Sequence, residues 1–518
     1  MSEDFTKEFM SFLQQKGFIW GPSPEIYGGL AGFYTYGPLG KLLKQNVEQK
    51  LRHDFQQNNL WEVECPTIMQ KEVWEASGHL GGFTDPMIKC SKCKAAFRAD
   101  ALIHELFPAV HANQFKTEQD LLTFFKENAL SCPNCKGAFD EHILRHDLMM
   151  RTTIGVDIEA YNRPETATTT YLPFPRYYDF FRKKLPFGVF QIGKAYRNEI
   201  SPRQHVLRCR EFTQAEAQLF IFPHQKNEYY LYEKVKDNKL PLWPHQHQDT
   251  KKEPEWMSLD TAIKLNYLRN KAYSCMLSIA YTFFADLGIP KEKIRCRQHH
   301  KDEKAFYADD AWDIEIELHT FGWTECCGVH DRTDYDLKQH EKKTGVSLDA
   351  RGEDGATIHP HILEMAFGSD RIVFALLDIF YTPAEKGEGK PVLKIPYPWT
   401  PVNVAVLPLM KKDGLAEYAQ HIHEMINVQY VSQYDESGTV GRRYLRQDEA
   451  GTAYCITIDY ESLQNKDVTL RDRDTGMQIR VPEKKLISAL EKLFGGAQFN
   501  KQGKVIQHES ERTAAQSG

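Results

Sequence analysis

The sequence predicts an α+β protein with a separate α/β domain near its C-terminal end. Residues 186–222 read as strand, loop, strand, because two runs of β-forming residues flank a polar segment. Three short β-rich runs, KIRCRQH, DAWDIEIELHT and GWTECCGVH, follow later in the chain. After the proline-rich segment GEGKPVLKIPYPWTP, which suits a stiff linker, strand-like and helix-like segments alternate as in an α/β domain.

The overall composition narrows the class of protein. A chain of 518 residues predicts two or three domains. The net charge of −6 means that any contact with nucleic acid must come from local patches. The acidic start MSEDFTKEFM lacks a signal-peptide core, no window approaches a membrane span, and eleven cysteines in so long a chain favour reduced thiols. We therefore expect a soluble, cytoplasmic protein that does not contact membranes.

Local patterns predict the main elements. Apolar residues recur near helical spacing in GPLGKLLKQNVEQKLRHDF, which begins with a proline in its first turn. Helices are predicted at residues 37–55, about 263–287, 412–427, 439–448 and 483–494. The polar stretch PLWPHQHQDTKKEPEW, residues 241–256, is expected to be an exposed loop. Residues 496–518 are polar and without periodicity, which predicts a disordered tail.

Two cysteine pairs stand at the ends of a segment, residues 90–145, that looks inserted. The pairs are Cys90-x-x-Cys93 and Cys132-x-x-Cys135. Four thiolates at this spacing are typical of a tetrahedral zinc site, and a site without an open coordination position is structural. The alternative is four unrelated buried thiols. The other cysteines have no metal-ligand spacing and are expected to be packing residues.

The hairpin YRNEISPRQHVLRCREF carries four arginines, Arg197, Arg203, Arg208 and Arg210, between two apolar strands. A solvated basic face, an RNA phosphate contact and a polyphosphate clamp would each explain them. The clamp fits best, because arginines hold phosphate oxygens bidentately and Phe212 offers a stacking face for a base.

A second arginine motif supports a nucleotide site. HPHILEMAFGSDRIVFALL reads as a strand, a turn at Gly368 and a helix that opens at Ser369. Arg371 then lies in the first helical turn, where anions are favoured. By itself Arg371 could be a surface residue. Together, the two motifs on antiparallel strands indicate one nucleotide site.

These segments resemble the three sequence motifs of class II aminoacyl-tRNA synthetases. Residues 37–66 resemble motif 1, FRKKLPFGVFQIGKAYRNEISPRQHVLRCREF resembles motif 2, and residues 363–373 resemble motif 3. A finer resemblance is to glycyl-tRNA synthetases of the homodimeric kind, in their archaeal and eukaryotic form. It rests on GFYTYGPLG, ASGHLGGFTDPM, NRPET, IRCRQH, GWTECCGVHDRTDYDL and YDESGTVGRRYLRQDEAGTAYCITIDY, and covers nearly the whole chain apart from residues 223–260 and the tail.

The resemblance implies a seven-stranded antiparallel catalytic sheet flanked by helices, a zinc-knuckle insertion and a C-terminal α/β anticodon-binding domain. The implied segments are residues 1–89 and 146–390 for the catalytic core (with an insertion at about 223–260), 90–145 for the zinc-binding insertion, 396–495 for the anticodon-binding domain and 496–518 for the tail. The implied substrates and partners are ATP with Mg²⁺, glycine, tRNA(Gly) and a second copy of the chain, with a structural Zn²⁺. In the C-terminal domain, Arg442, Arg443 and Arg446 are expected to contact the tRNA.

For ATP, the resemblance implies three catalytic residues, Arg197, Glu199 and Arg371. Arg197 would bind the α-phosphate, Glu199 the adenine amino group, and Phe212 would stack on adenine opposite Arg371. Arg208 and Arg371 would hold the outer phosphates, and Glu325 would meet them through Mg²⁺. The implied ATP-binding set is Arg197, Asn198, Glu199, Leu207, Arg208, Cys209, Arg210, Glu211, Phe212, Glu325, Cys326, Gly368, Ser369, Asp370 and Arg371.

For glycine, the resemblance implies Arg98 near the substrate end of the site, with Glu165, Glu216 and Glu364 around the ammonium. The implied substrate-binding set is Arg98, Glu165, Phe212, Thr213, Gln214, Ala215, Glu216, Glu364, Met365, Ala366, Phe367 and Gly368. Two segments depart from the family pattern. RPETATT has Thr168 and Thr169 where the family has Gln-Gly, and EMA has Met365-Ala366 where it has Pro-Ser. Whether these changes alter amino-acid selection is open.

Two alternatives of other classes stay open. A non-catalytic relative, such as a polymerase accessory subunit, need not retain Arg197, Glu199, Glu325 and Arg371, yet this chain has all four. A synthetase paralogue that charges another small amino acid or a carrier would retain them. ATP–pyrophosphate exchange against each amino acid separates these alternatives.

Overall fold

The structure is a computed structural model, and it describes residues 3–107, 110, 115, 117–200, 202, 204–301, 303–304, 308–352, 355–384 and 390–506. Arg203 and residues 507–518 of the predicted tail lie outside the described residues. Among the described residues, no helix combines the length and the apolar character needed to cross a membrane.

The helices, in chain order, are α1 (Glu3–Gln15), α2 (Pro38–Gln57), α3 (Lys71–Ala76), α4 (His79–Gly82), α5 (Ala99–Leu106), α6 (Glu118–Glu127), α7 (Ala167–Tyr171), α8 (Phe174–Phe180), α9 (Tyr232–Val235), α10 (His245–Asp249), α11 (Leu259–Lys264), α12 (Lys271–Asp286), α13 (Tyr335–Thr344), α14 (Ser369–Phe380), α15 (Leu415–Asn427), α16 (Val440–Ala450), α17 (Tyr460–Asn465) and α18 (Leu486–Phe494).

The strands, in chain order, are β1 (Ile19–Trp20), β2 (Thr35–Tyr36), β3 (Leu60–Glu62), β4 (Ile68–Gln70), β5 (Thr84–Cys90), β6 (Ala96–Arg98), β7 (Phe139–Asp147), β8 (Met150–Ile154), β9 (Ile158–Asn162), β10 (Phe187–Tyr196), β11 (Glu211–Ile221), β12 (Lys239–Trp243), β13 (Glu255–Ser258), β14 (Ile294–Gln298), β15 (Asp310–Leu318), β16 (Gly322–Thr333), β17 (Ala350–Arg351), β18 (Thr357–Ile358), β19 (His361–Gly368), β20 (Tyr381–Thr382), β21 (Val392–Leu393), β22 (Val404–Pro408), β23 (Ser432–Tyr434), β24 (Tyr454–Ile458), β25 (Asp467–Asp472), β26 (Gln478–Pro482) and β27 (Lys504–Val505).

The central sheet has nine strands in the order β13-β12-β14-β15-β16-β19-β11-β10-β3. Its pairs are antiparallel except β3 with β10 and β12 with β14, which are parallel. The predicted seven-stranded antiparallel sheet is therefore wrong in strand number and in one pairing, that of β3 with β10. Strands β14 to β3 make up the expected seven, and β12 and β13 lengthen the sheet at one edge.

The segment predicted as an exposed loop, residues 241–256, contributes to that added edge. We refer to residues 239–258, which form β12, α10 and β13, as the extension. Leu240 and Leu242 of β12 are buried, so two leucines are enough to fix a short strand against the sheet. The loop prediction failed because polar residues surround this short apolar core in the sequence.

Helices cover one face of the central sheet. The predicted helix at 37–55 is confirmed as α2, whose buried residues include Leu43, Val47, Leu51 and Phe55. Helix α12 begins later than predicted, because the side chain of Asn270 caps it by accepting a hydrogen bond from the amide of Tyr273.

The cysteine-bearing segment forms a three-stranded sheet in the order β6-β5-β7, with α5 and α6 packed against it. Its apolar residues form a cluster of their own, which includes Ile88, Phe97, Leu121 and Phe125. A separate core supports the expectation that this segment is an insertion.

The C-terminal part is a mixed six-stranded sheet in the order β23-β22-β24-β25-β26-β27, with its own apolar core. Strand β27 pairs with β26 through Val505 and Ile479, so the expectation of a disordered tail from residue 496 is wrong as far as this strand. Backbone pairing accounts for the order: the amide of Ile506 donates to the carbonyl of Gln478 (3.0 Å), whereas the Val505 side chain is 44% exposed.

Candidate active site

A cavity of about 570 Å³ lies beside the end of the β10–β11 hairpin. Residues of the hairpin, of strands β16 and β19 and of the first turn of α14 line it. The predicted site residues that line it are Arg98, Glu165, Arg197, Glu199, Leu207, Arg208, Cys209, Phe212, Thr213, Gln214, Glu216, Glu325, Cys326, Glu364, Ala366, Gly368, Asp370 and Arg371. They come from segments distant in sequence, and the sheet brings them together.

Seven predicted residues do not line the cavity: Asn198, Arg210, Glu211, Ala215, Met365, Phe367 and Ser369. Ala215, Met365 and Phe367 face the hydrophobic core, because alternate side chains of a strand point to opposite faces. Continuous runs of residues were therefore too broad a prediction on β11 and β19.

Three of the other four non-lining residues have structural partners. Arg210 donates to the backbone carbonyls of Glu199 (2.7 Å) and Ala31 (3.1 Å), so it holds the hairpin loop in place. Glu211 pairs with Lys194 on the neighbouring strand at 3.0 Å. Asn198 donates to the carbonyl of Asp147 (3.4 Å), and Ser369 is fully buried.

Arg371 links three elements at one end of the cavity. Its guanidinium donates to the carbonyls of Leu207 (3.2 Å) and Glu325 (2.8 Å) and lies 3.4 Å from the Glu325 carboxylate. These bonds fix an arginine fork beside the start of α14, which is a suitable geometry for an anion.

Arg197 lies between two aromatic rings. Its guanidinium carbon is 5.3 Å from the ring centre of Phe83 and 5.4 Å from that of Phe212. Its Nε donates to the carbonyl of Pro164 at 3.1 Å. The two rings and the hydrogen bond hold the guanidinium in one orientation inside the cavity.

Arg208 belongs to a chain of alternating charges. It donates to the Glu199 carboxylate at 2.7 and 2.9 Å and lies 4.0 Å from Asp85. Asp85 is in turn 3.4 Å from Arg98, whose fork also grips Asp100 at 2.7 and 2.8 Å. These contacts place Arg98 beside the residues predicted for ATP.

Asp370 is a buried anchor below the cavity. It accepts hydrogen bonds from Lys44 (2.5 Å), Tyr36 (2.6 Å) and the amide of Thr213 (2.6 Å). Burial alone would raise the pKa of Asp370, but Lys44 and the hydrogen bonds outweigh it and lower the pKa. Asp370 thus ties α2 and β11 to the start of α14.

The opposite end of the cavity holds three carboxyl groups: those of Glu216 and Glu364 are buried, and the Glu165 side chain is 16% exposed. Burial, followed by the charges of Glu364 and Glu165, raises the pKa of Glu216. For Glu364, burial would raise the pKa, but Arg332 and His330 outweigh it and lower the pKa. At neutral pH the three groups therefore share fewer than three negative charges.

Arg332 and His330 were not singled out from the sequence, yet both line the cavity. Arg332 grips Asp336 with two hydrogen bonds (2.8 and 2.9 Å) and lies 3.3 Å from Glu364. His330 is also 3.3 Å from Glu364. The signal for them was the alternation Gly328, His330, Arg332 on one strand, which places all three at the same face.

The two segments that depart from the family pattern both reach this end. Ala366 lies directly across from Gly328 on β16 and Glu216 on β11, in one cross-strand row. Thr168 donates a hydrogen bond to the Glu165 carboxylate (2.7 Å). Thr169 does not line the cavity; its hydroxyl donates to the carbonyl of Thr166 (2.9 Å).

The four predicted cysteine ligands converge in the inserted segment. The Sγ atoms are 3.5 Å apart for Cys90 and Cys135 and 3.7 Å apart for Cys93 and Cys132. All four sulfur atoms lie within 4.8 Å of one another. A Cβ atom at position 137 would lie only 3.2 and 3.3 Å from two of these sulfurs. Glycine at this position therefore lets the turn pass close to the thiols.

The three arginines predicted to contact tRNA differ in exposure. Arg442 is exposed in the first turn of α16. Arg446 is half-exposed and pairs with Asp435 at 2.5 Å. Arg443 is buried and donates to the carbonyls of Pro408 and Gly438, so the prediction that it contacts RNA is wrong.

Comparison with known proteins agrees with this arrangement. Residues 403–493 match the anticodon binding domain family. The chain is 37% identical to the glycine–tRNA ligase of Thermococcus kodakarensis, over 93% of this chain and 97% of that protein. It is 36% identical to that of Pyrococcus furiosus, over 96% and 100%, and 35% identical to that of Methanocaldococcus jannaschii, over 95% and 99%.

The antiparallel core sheet and the anticodon-binding domain fit a class II aminoacyl-tRNA synthetase. The shared identity extends over both parts and over nearly the full length of the relatives. The chain belongs to the glycine–tRNA ligase family.

Proposed function

We propose that the chain activates glycine with ATP and transfers the glycyl group to the 3′ end of tRNA(Gly) in the cytoplasm. The observation that carries this proposal is one cavity that joins an arginine cluster to three carboxyl groups, those of Glu165, Glu216 and Glu364. A zwitterion placed between them would direct its ammonium to the carboxylates and its carboxylate to the arginines.

The arginine end is suited to ATP. Arg197 would bind the α-phosphate, and Arg371 the outer phosphates, because both guanidinium groups are already oriented by carbonyls or aromatic rings. Arg208 pairs with Glu199 at 2.7 Å, and bound ATP would exchange this contact for two others: a phosphate oxygen on Arg208 and the adenine amino group on Glu199. Phe212 would supply the stacking face.

The chemistry requires positioning and charge neutralisation more than proton transfer. The glycine carboxylate attacks the α-phosphorus and pyrophosphate leaves; the terminal adenosine hydroxyl of tRNA then takes the glycyl group and AMP leaves. Pre-oriented guanidinium groups stabilise the charge that develops on the phosphate oxygens, which lowers the barrier to both steps.

The carboxylate end is suited to the ammonium of glycine. An ammonium leaves water at a large cost unless fixed anions replace its hydration. Glu165 and Glu364 supply the anions, and Glu216 adds a third group that ionises when the ammonium binds. Larger amino acids would meet the row formed by Gly328 and Ala366, where the cavity meets the sheet.

Two metal ions fit the donor groups. Glu325 lines the cavity beside the arginines, and a carboxylate oxygen suits Mg²⁺, which neutralises phosphate charge when bound. Zn–S bonds of about 2.3 Å in a tetrahedron place sulfur atoms about 3.8 Å apart. The sulfur distances of 3.5 and 3.7 Å support a structural Zn²⁺ held by Cys90, Cys93, Cys132 and Cys135.

We also infer that residues 396–495 bind the anticodon and that the protein works as a homodimer. Strand β3, within the segment that resembles motif 1, forms an edge of the central sheet. Trp61 on this strand is 56% exposed and packs against Phe180, which is 65% exposed. Such an apolar edge supports pairing with a second copy. Sedimentation of the protein and of Trp61→Asp tests this: the variant should shift toward the monomer.

The proposal is tested by ATP–pyrophosphate exchange with each amino acid in turn, followed by charging of tRNA(Gly). Glycine should give the fastest exchange. Glu165→Ala should raise the KM for glycine sharply and leave the KM for ATP nearly unchanged. Strong exchange with a different amino acid, and none with glycine, would leave the synthetase scaffold but overturn the glycyl assignment.

A further inference from the structure

Two side chains of the extension and one from the loop after β14 form a candidate metal site at a place that the active site does not use. His245 and Asp249 lie on α10, four residues apart and therefore on the same helix face. His300 follows strand β14. One donor atom from each residue lies within 4.8 Å of the others. None of the three lines the cavity described above.

The sheet brings these residues together. Strands β12 and β14 are parallel neighbours, with Trp243 beside Arg297. The segments that follow the two strands therefore start at the same end of the sheet. Gln298, at the end of β14, then fastens α10: its side-chain oxygen accepts from the amide of His245 (3.2 Å), and its carbonyl accepts from Gln248 (2.7 Å). Gln298 thus holds α10 next to the end of β14 through two hydrogen bonds, independently of any metal ion.

The distances between the donor atoms are too long for direct hydrogen bonds and close to the separation of ligands around one metal ion. Nδ1 of His245 lies 3.9 Å from Asp249, and Nδ1 of His300 lies 3.6 Å from it. Both exceed the length of a hydrogen bond. Ligands on bonds of about 2.0–2.2 Å around one tetrahedral metal lie about 3.4 Å apart. A shift of a few tenths of an ångström would bring each imidazole to that distance from the carboxylate, and the two imidazole donor atoms lie within 4.8 Å of each other.

The donor set selects a class of ion. Two imidazole nitrogens and one carboxylate oxygen suit borderline divalent transition metals, whereas Mg²⁺ and Ca²⁺ prefer oxygen alone. Asp249 is 61% exposed on its side chain and His300 39%, which leaves an open side where water completes the coordination. This differs from the closed set of four cysteines.

We propose that His245, Asp249 and His300 bind one divalent cation of the Zn²⁺ class, and that this ion fastens the extension to the end of strand β14. The ion links a helix of the extension with the loop after a core strand. Its role is structural, because the cluster lies outside the cavity where glycine and ATP would react.

The test is a metal titration of the full chain after chelator treatment. Co²⁺ distinguishes the two sites, because thiolate ligands give intense charge-transfer absorption and imidazole or carboxylate ligands do not. The wild-type protein should bind one equivalent with that absorption and one without it. His300→Ala should lose only the second equivalent, and Cys132→Ser only the first. His224→Ala, which changes an exposed histidine outside the cluster, should keep both.

A second measurement compares amide hydrogen exchange with and without Zn²⁺. Zn²⁺ should slow amide hydrogen exchange in α10 and in the residues that follow β14, and His245→Ala should remove this protection. Equal binding by His300→Ala and the wild type would overturn the proposal. So would a wild-type protein that takes up only the thiolate-bound equivalent, since the cluster would then hold no metal.

Discussion

The guanidinium of Arg371 lies 3.4 Å from the carboxylate of Glu325 and donates a 2.8 Å hydrogen bond to the backbone carbonyl of the same residue. These residues are on α14 and β16, which different parts of the sequence supply. Their contact holds a cation and an anion side by side at the mouth of the cavity, where a phosphate and its Mg²⁺ would need both.

Arg197→Ala should lower glycine-dependent ATP–pyrophosphate exchange by about two orders of magnitude or more. A transition state that loses one pre-oriented donor typically loses about 10²–10³ in rate. Arg151→Ala is the matched control, because Arg151 is exposed and pairs with Glu159 at 3.2 Å on the surface. Near-normal exchange by a folded Arg197→Ala protein would contradict the role in phosphate binding.

Glu216→Gln should change the pH dependence of stability. Burial and two carboxylate neighbours raise the pKa of Glu216 from 4.5 to about 8. Between these values the folded protein holds a proton that the unfolded chain has released, so the free energy of unfolding falls as pH rises through this window. The variant cannot ionise, and its urea unfolding curves should depend less on pH there. The same pH dependence of the free energy of unfolding in the variant and the wild type would contradict the shifted pKa.

Ala366→Ser should sharpen the choice of glycine over alanine. Ala366 lies in one row with Gly328 and Glu216, and we expect its small apolar side chain to leave space for a methyl group. A pocket discriminates one methyl by only about 1–3 kcal/mol. The wild type should therefore show measurable exchange with alanine, and the variant should lower its kcat/KM for alanine relative to glycine by about tenfold. An unchanged ratio would show that Ala366 does not set specificity.

Cys132→Ser should remove the thiolate-bound zinc, since one of four ligands is lost. Metal analysis of protein purified without chelator measures this, with Cys455→Ser as the control because Cys455 is buried in the other domain. Gly137→Val should also lower the zinc content, because a side chain there meets the sulfurs. Wild-type protein without thiolate-bound metal would contradict the zinc site.

Arg442→Ala should weaken tRNA charging and leave pyrophosphate exchange unchanged. Arg442 is exposed in the first turn of α16, and the loss of one phosphate contact costs about 1 kcal/mol, or about fivefold in the KM for tRNA. Lys484→Ala, at another exposed position of the same domain, is the control. The same KM for both variants would show that α16 does not contact tRNA.

Local patterns in the sequence encode several parts of this protein. Two runs of β-forming residues predicted the β10–β11 hairpin, and the turn at Gly368 predicted the passage from β19 to α14. Paired cysteines indicated a four-thiol cluster, and the structure brings these thiols together. Each of these features depends on neighbours within a few dozen residues or on a spacing that only one chemistry explains.

Which side chains lie together in the cavity or in the core follows from the tertiary structure alone. Strand alternation sent Met365 into the core and left Glu364 in the cavity, although both belong to one motif. The buried contact between Lys44 and Asp370 joins residues 326 positions apart, and no local pattern announces it. The extension became two strands because a sheet edge was available to pair with them. Burial, charge partners and pairing edges arise when distant segments pack, so they follow from the fold as a whole.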